Sequence, residues 1–142
     1  MISLNFCSYI KKIVLAKWNT KILTYTERDS IFVEADKERI SQVFSNLIDN
    51  SLKFTKEGLI SISLEKSNSH IIVSIKDTGT GIDPELLPRL FSKFTSKSFS
   101  GTRLGLFISK NIVEAHSGRI WAQNNPEGKG ATFSFSLSIN IN

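Results

Sequence analysis

The strongest constraint on the fold is the stretch from residue 38 to residue 54, whose hydrophobic residues recur with the period of an α-helix. At about 100° per residue they form one broad apolar face, made by Ile40, Val43, Phe44, Leu47, Ile48 and Leu52. Asp36 precedes the stretch, and its short carboxylate predicts the N-cap of the helix. A helix with so wide an apolar face needs a sheet or other helices to cover it.

The same helix carries a separate polar stripe. Asn46, Asn50 and Lys53 are spaced i, i+4 and i+7, so they fall within about 60° of one another. A carboxamide oxygen suits a Mg²⁺ ion that keeps several waters, and a lysine one turn further on suits the phosphates that such an ion bridges. An isolated stripe of this kind is more commonly a solvated helix face, so its interpretation depends on the rest of the sequence.

Alternating hydrophobic residues predict strands on both sides of this helix. Two short candidate strands precede it and two hairpins follow it; they cover residues 21–27, 31–35, 60–64 with 71–75, and 120–122 with 131–139. A second helical pattern runs from Leu104 to His116 between the hairpins, and Gly118 is its predicted C-terminal stop. This order predicts an α+β two-layer sandwich, with the helices on one face of a mixed, mostly antiparallel sheet.

Composition fits one globular domain and narrows the classes of function. The chain has 142 residues, of which 40% are hydrophobic and 22% charged, and its apolar runs are far too short to span a bilayer. The net charge is +5, but the Lys and Arg residues are spread out, which favours a small polyanionic ligand over nucleic acid. A single cysteine, Cys7, and the lack of a signal-peptide pattern predict a cytoplasmic location.

Two glycine-containing loops adjoin the predicted elements. The run Asp77-Thr-Gly-Thr-Gly-Ile82 comes directly off the second strand of the first hairpin, with a carboxylate at the strand end. The run Gly101-Thr-Arg-Leu-Gly105 leads into the second helix, where free N–H groups and the positive end of the helix dipole favour phosphate. Residues 92–103 form a long polar stretch, and long loops inside compact domains are usually functional or disordered.

In this order, with Phe91 and Phe94 between the two loops, the polar stripe and the loops closely resemble the ATP-binding catalytic domain of sensor histidine kinases. That domain belongs to the GHKL superfamily and has a Bergerat-type ATP site. The resemblance covers the chain from about residue 21 onward. Residues 1–20, which have a helical rhythm, are interpreted as a short amphipathic remnant of a linking helix, and residues 21–142 as the catalytic domain.

The resemblance implies ATP and Mg²⁺ as cofactors and gives a role to each matching residue. Asn50 corresponds to the Mg²⁺ ligand and Lys53 to a phosphate contact. Asp77 corresponds to the carboxylate that accepts a hydrogen bond from the adenine amino group, so the site should reject guanine, which presents a carbonyl there. The full set implied for ATP binding is Asn46, Asn50, Lys53, Asp77, Gly79, Gly81, Ile82, Phe94, Lys97, Gly101, Thr102, Arg103, Leu104, Gly105 and Thr132.

Some of these positions have an equally good structural interpretation. Phe91 and Phe94 match the phenylalanines that support the nucleotide lid, yet either could be ordinary core. Residues 128–132 resemble the last glycine motif of the family, but also an ordinary hairpin turn. Lys97 matches a lid lysine that can reach the terminal phosphate, whereas His116 is interpreted as structural.

The sequence departs from the family in two places. The family usually has glycine where this chain has Arg103; if the loop needs φ > 0, an arginine costs about 1 kcal/mol or more, and alternatively its guanidinium pairs with phosphate oxygens. The dimerising hairpin with its phosphorylatable histidine is not recognisable, since neither His70 nor His116 has that context. The expectation is a monomer without a phosphoacceptor, which donates phosphate to a histidine on a separate dimerisation domain and acts indirectly on a response regulator.

Two other hypotheses stay open. One is a degenerate, non-catalytic module that binds partners in a nucleotide-dependent way, with its lid disabled by Arg103. The other is a stand-alone protein serine kinase resembling anti-sigma factors, although the sequence of residues 45–55 looks more like that of sensor kinases. A gyrase-like ATPase would need a glutamate early in the asparagine helix; Glu38 lies a turn too early, so slow intrinsic ATP hydrolysis is expected.

Overall fold

The computed structural model describes residues 2–5, 8–9, 12, 22–25, 32–55, 58–93 and 103–139. Within these ranges the bounds of seven strands, two α-helices and one 3₁₀ turn are defined, and Ser8, Tyr9 and Lys12 are also helical. In chain order they are β1 (Ile2–Asn5), β2 (Ile22–Tyr25), β3 (Phe32–Ala35), α1 (Lys37–Phe54), β4 (Ile60–Lys66), β5 (His70–Asp77), the 3₁₀ turn (Leu87–Arg89), α2 (Arg103–Ala115), β6 (Ile120–Asn124) and β7 (Ala131–Ser138).

Five strands form the main sheet, in the order β2-β4-β5-β7-β6. β2 runs parallel to β4, and every other neighbouring pair is antiparallel. β1 and β3 form a separate antiparallel pair. Both α-helices contact strands of the main sheet and pack against each other. The predicted two-layer α+β sandwich with a mixed, mostly antiparallel sheet is confirmed.

The core lies between α1 and the central strands. Alternate residues of β4 and β5 are buried, as the period of two requires when only one face of a sheet is covered. In β7 the whole run of residues 133–137 is buried, so both faces of this strand are covered. The register aligns Ile62, Ile75 and Phe133 in one row across the three strands. Phe44 of α1 meets Phe135 edge to face, with ring centroids 5.4 Å apart. Burying a side chain of this size contributes about 1.5–3 kcal/mol, so these rows hold the helix on the sheet.

The ends of the two helices confirm part of the sequence prediction and correct its reasoning. Asp36 is the N-cap of α1, and its carboxylate accepts a hydrogen bond from the Arg39 N–H at 3.3 Å. At the end of α2 the left-handed residue is Ser117, with φ of 60°, rather than Gly118. A Cβ on Gly118 would lie 1.8 Å from the Ser136 carbonyl oxygen, so glycine is required there by the close approach of β7.

The N-terminal segment differs from the prediction of one helical stretch over residues 1–20. Ile2–Asn5 is a strand that pairs with β3, because backbone pairing with a neighbouring strand outweighs weak local propensity. Tyr9 is helical and buried, and its hydroxyl donates to the Lys37 carbonyl at 3.0 Å. The positions on which the helical prediction depended, Phe6, Ile10, Ile13, Val14 and Trp18, lie outside the described residues. The division of the chain at residue 20 stays a prediction.

Candidate functional site

The end of α1, the loop after β5 and the β6–β7 turn meet beside the first turn of α2. Asn46 joins the two helices, because its Nδ2 donates to the Gly105 carbonyl at 3.0 Å and to the Ser109 hydroxyl at 3.0 Å. A Cβ on Gly105 would lie 3.3 Å from Asn46 Cγ, so a small residue is needed where the helices touch. Asn46 therefore holds the first turns of α2 against α1.

Three buried polar side-chain atoms near the end of α1 have no hydrogen-bond partner among the described residues. They are Asn50 Oδ1, Ser51 Oγ and Thr55 Oγ1. Leaving such an atom unpaired costs about 1–3 kcal/mol, and most buried polar groups in proteins are paired. A concentration of three within two turns indicates a place built for a polar ligand. Lys53 lies in the same part of α1 and is exposed.

Asp77 is the last residue of β5 and only 2% exposed. Burial raises the pKa of its carboxyl, while hydrogen bonds from the backbone N–H groups of Gly79 and Ala131 lower it. The nearby Ser51 hydroxyl also lowers this pKa, although it falls short of hydrogen-bond geometry. Both backbone bonds end on Oδ1, at 2.9 and 3.2 Å, which leaves the lone pairs of Oδ2 for an external donor.

The glycine loop after Asp77 lies against the end of α1. A Cβ on Gly79 would come within 2.1 Å of the Phe54 carbonyl oxygen, and the Thr80 N–H donates to the same oxygen at 3.3 Å. Gly81 has φ of +82°, a conformation that favours glycine. The first glycine is thus needed for packing on α1 and the second for the backbone conformation that follows.

Two asparagines, one at the end of β6 and one in the β6–β7 turn, belong to the site although no sequence pattern singled them out. Asn124 accepts the Ile82 N–H through Oδ1 at 2.7 Å and donates to the Ile82 carbonyl through Nδ2 at 2.8 Å. Asn125 donates to the Asp77 carbonyl at 2.8 Å and accepts the Thr132 hydroxyl at 2.6 Å. In sequence these residues resemble any polar hairpin turn, and only the tertiary structure brings them to Asp77 and Ile82.

The remaining predicted site residues are only partly within the described ranges. Phe94, Lys97, Gly101 and Thr102 lie outside them. Arg103 is the first residue of α2 and has a helical backbone, so an arginine carries no left-handed strain at this position. The exposed Leu104 is 57% accessible at the start of α2. Phe91 packs edge to face on Phe133, with centroids 6.3 Å apart, which places it at the border of the core.

His116 lies away from this site and has a structural role. Its Nε2 accepts the Asp36 N–H at 3.0 Å, and its Nδ1 lies 2.8 Å from the Ile112 carbonyl, to which it donates in the neutral tautomer. The ring therefore ties the end of α2 to the N-cap of α1. Within the described ranges, no helix is both long and apolar enough to cross a bilayer.

Comparison with known proteins defines the class to which this fold and site belong. A family model described as histidine kinase-, DNA gyrase B-, and HSP90-like ATPase matches residues 35–141. The chain belongs to this family. The resemblance drawn from the asparagine stripe and the glycine loops is confirmed.

Within the family, the chain is similar to bacterial sensor histidine kinases. It is 38% identical over 120 residues to the sensor histidine kinase WalK of Bacillus subtilis strain 168, covering 78% of this chain and 19% of that protein. It is 44% identical over 109 residues to the sensor protein SrrB of Staphylococcus aureus strain NCTC 8325, covering 72% of this chain and 18% of that protein. The chain thus spans about a fifth of the length of these relatives.

Solved structures agree with this placement. The catalytic domain of the histidine kinase ThkA, in a nucleotide-free form, matches with a TM-score of 0.86 and 30% identity over 99% of this chain and 98% of that chain. ThkA in complex with the response regulator protein TrrA matches with a TM-score of 0.80 and 29% identity over 98% of this chain and 42% of that chain. The fold is that of a histidine kinase catalytic domain.

Proposed function

We propose that this chain is the Mg-ATP-binding catalytic domain of a two-component sensor histidine kinase. In this proposal it donates the γ-phosphate of ATP to a histidine on a separate dimerisation domain, and the phosphate then passes to a response regulator. The observation that carries the proposal is Asp77, a buried carboxylate with one oxygen held by backbone N–H groups and the other left for a donor such as the adenine amino group. Because ATP is the substrate, the proposal also places the domain in the cytoplasm.

The end of α1 fits a magnesium nucleotide. Asn50 supplies a carboxamide oxygen without a partner among the described residues, and Mg²⁺ prefers oxygen ligands. The residue is only 1% exposed, and its unpartnered oxygen would be the atom that holds the metal. The described ranges contain no group of three or more His, Cys, Asp or Glu residues that could hold a metal ion, so the nucleotide phosphates would share the coordination. When bound, Mg²⁺ would neutralise phosphate charge.

The chain's own residues would bind and orient the nucleotide. Positioning and charge neutralisation are most of what phosphoryl transfer requires of a protein. Asp77 would select the base, Lys53 would contact phosphate, and the N-terminus of α2 would face the phosphate chain. The helical backbone of Arg103 removes the strain on which the degenerate-lid hypothesis depended.

Calorimetric titration with an unhydrolysable ATP analogue tests the site. We expect magnesium-dependent binding that GTP does not reproduce, and a loss of affinity of about 10-fold or more in Asp77→Asn, which presents an amide donor to the adenine amino group. Asp83→Asn is the matched control, because this carboxylate is exposed in the following turn. Equal affinity for ATP and GTP, or parental affinity in Asp77→Asn, would contradict the proposal.

A transfer assay tests the reaction. Mixed with ATP and a histidine-bearing dimerisation domain from a sensor kinase, the chain should produce acid-labile phosphohistidine on that domain and none on itself. Asn50→Ala should lose the transfer. Phosphoserine on a partner protein would favour the serine kinase hypothesis instead.

A further inference from the structure

The strand that carries Asp77 loses one of its two neighbours at that residue. On one side Asp77 is still paired with Ile60 of β4. On the other side the ladder with β7 ends one residue earlier, at the pair of Lys76 and Thr132. Asp77 therefore lies where the sheet opens between β5 and β7, and its polar groups on that side need other partners.

Side chains supply those partners. The Ala131 N–H, the first backbone donor of β7, donates to Asp77 Oδ1 at 3.2 Å. The Asp77 carbonyl accepts instead from Asn125 Nδ2 at 2.8 Å. The Asp77 carboxylate thus holds the first residue of β7, while the Asn125 side chain in the β6–β7 turn holds the Asp77 main chain.

Asn125 is fixed in one orientation by its own bonds. It is 5% exposed, and its Nδ2 also donates to the Lys129 carbonyl at 2.8 Å, while Oδ1 accepts the Thr132 hydroxyl at 2.6 Å. A flipped carboxamide would place its oxygen against two carbonyl oxygens, with which it cannot form hydrogen bonds, so the flip would lose both of these bonds. The side chain is therefore a rigid link between the turn and Asp77.

The backbone of the turn lies against Asp77 as well. Gly130 has φ of +81°, and a Cβ there would lie 2.0 Å from the Asp77 carbonyl oxygen and 2.9 Å from Oδ1. The Asn125 N–H donates to the Gly130 carbonyl at 3.0 Å, which closes the turn onto this contact. Movement of the turn would consequently move the carboxylate.

We infer that Asn125 is a positioning residue that sets base specificity. By bonding the main chain of Asp77, it holds the Asp77 carboxylate in place. The inference rests on the proposed function, because it assumes that Asp77 meets the adenine amino group. Asn125 does not touch the base; it acts through the main chain of Asp77 and through Thr132. The ligand class it selects is a purine nucleotide with a 6-amino donor, against one with a 6-carbonyl.

Calorimetry with ATP and with inosine triphosphate, which carries a 6-carbonyl, tests the inference. The variants are Asn125→Ala and Asn125→Asp; the second keeps the shape but cannot donate to the carbonyls of Asp77 and Lys129. We expect the preference for ATP over inosine triphosphate to fall by about 10-fold in both, because the charged hydrogen bond that discriminates the bases is misaligned. Asn68→Ala, in the exposed β4–β5 turn, should leave the preference unchanged.

A merely structural role gives a different result. In that case the Asn125 variants melt at a lower temperature, but their affinities for ATP and for inosine triphosphate change together. The ratio of the two affinities then stays at the parental value, which would overturn the inference. If the parent protein itself shows no preference for ATP, the proposed function fails.

A second readout, in nucleotide-free protein, separates that failure from a failure of the inference. Carbon-detected NMR titration should show the pKa of the Asp77 carboxyl higher in Asn125→Ala than in the parent, because movement of the turn weakens the bond from the Ala131 N–H that favours the charged form. An unchanged Asp77 titration would overturn the inference whatever the nucleotide affinities are.

Discussion

Asp77 brings a carboxylate into a part of the protein with almost no solvent. Burial raises the pKa of this carboxyl, and two backbone N–H groups and Ser51 offset only part of that effect. A group whose pKa is higher in the folded protein than in the unfolded chain binds protons more tightly when folded. Its contribution to the free energy of unfolding is therefore greatest below the ordinary carboxyl pKa and is lost as the pH rises through the raised value.

This sign gives a prediction for stability. Asp77→Asn replaces the charged group by a neutral one of the same shape whose oxygen can still accept from Gly79 and Ala131. We expect it to raise the melting temperature of the nucleotide-free protein at neutral pH, and the gain to shrink toward acidic pH, where the parent carboxyl is protonated. Thermal unfolding of both proteins over that pH range measures the difference, with Asp83→Asn as the exposed control.

A gain that is independent of pH would show that the buried charge is not its source. A loss of stability at neutral pH would show that the carboxylate is worth more to the fold than its burial costs, for example through its bond to the N-terminus of β7.

At the scale of single elements, the turn that ends α2 has its glycine next to the residue in the left-handed conformation, not at it. The Ser117 N–H donates to the Glu114 carbonyl and the Gly118 N–H to the Val113 carbonyl, at 3.0 and 2.9 Å, which is the bonding of a Schellman motif. The residue in the left-handed conformation of this motif is usually glycine, and here it is Ser117. The glycine next to it is reserved for the contact with β7.

We expect Ser117→Gly to stabilise the protein by about 1 kcal/mol, because a left-handed conformation costs a residue with a Cβ about that much. The reciprocal variant Gly118→Ser should destabilise it by more, since its Cβ would overlap the Ser136 carbonyl. Chemical denaturation of the two variants measures both effects. Equal and small changes in the pair would mean that the close approach of α2 and β7 relaxes easily.

The elements that local patterns specify were predictable, and the contacts between distant segments were not. α1, its Asp36 cap and both hairpins follow from periodicity and cap chemistry, which act over a few residues. β1 is four residues long and exists through its pairing with β3, about 30 residues along the chain. The hydrogen bonds of Asn125 likewise join parts of the chain that sequence spacing does not relate.

The candidate site divides in the same way. Asn50 and Asp77 were found because a helical stripe and a carboxylate at a strand end are visible in sequence. Asn46 was placed on the correct helix, but its bonds to the backbone of Gly105 and to Ser109 depend on how the two helices cross. The backbone strain considered for Arg103 is absent, because α2 begins one residue earlier than its hydrophobic pattern indicated.

For the molecule as a whole, the proposed function predicts that nucleotide stabilises the fold. A ligand that binds only the folded state at 100 times its dissociation constant adds about 2.7 kcal/mol to the free energy of unfolding. Increasing concentrations of Mg-ATP should therefore raise the melting temperature of the parent protein, and should raise that of Asn50→Ala far less, as thermal unfolding measures. An equal shift with Mg-GTP would indicate binding through phosphates alone.

The unpartnered atoms of Asn50, Ser51 and Thr55 also predict which residues directed evolution would select at these positions. In a library randomised at these positions and sorted only for heat resistance, apolar residues should accumulate, because each removes a desolvated polar atom. Sorted for retention on immobilised ATP, the same library should keep the polar residues that the nucleotide needs. The difference between the two enriched populations would report, position by position, which of these residues serve binding and which serve the fold.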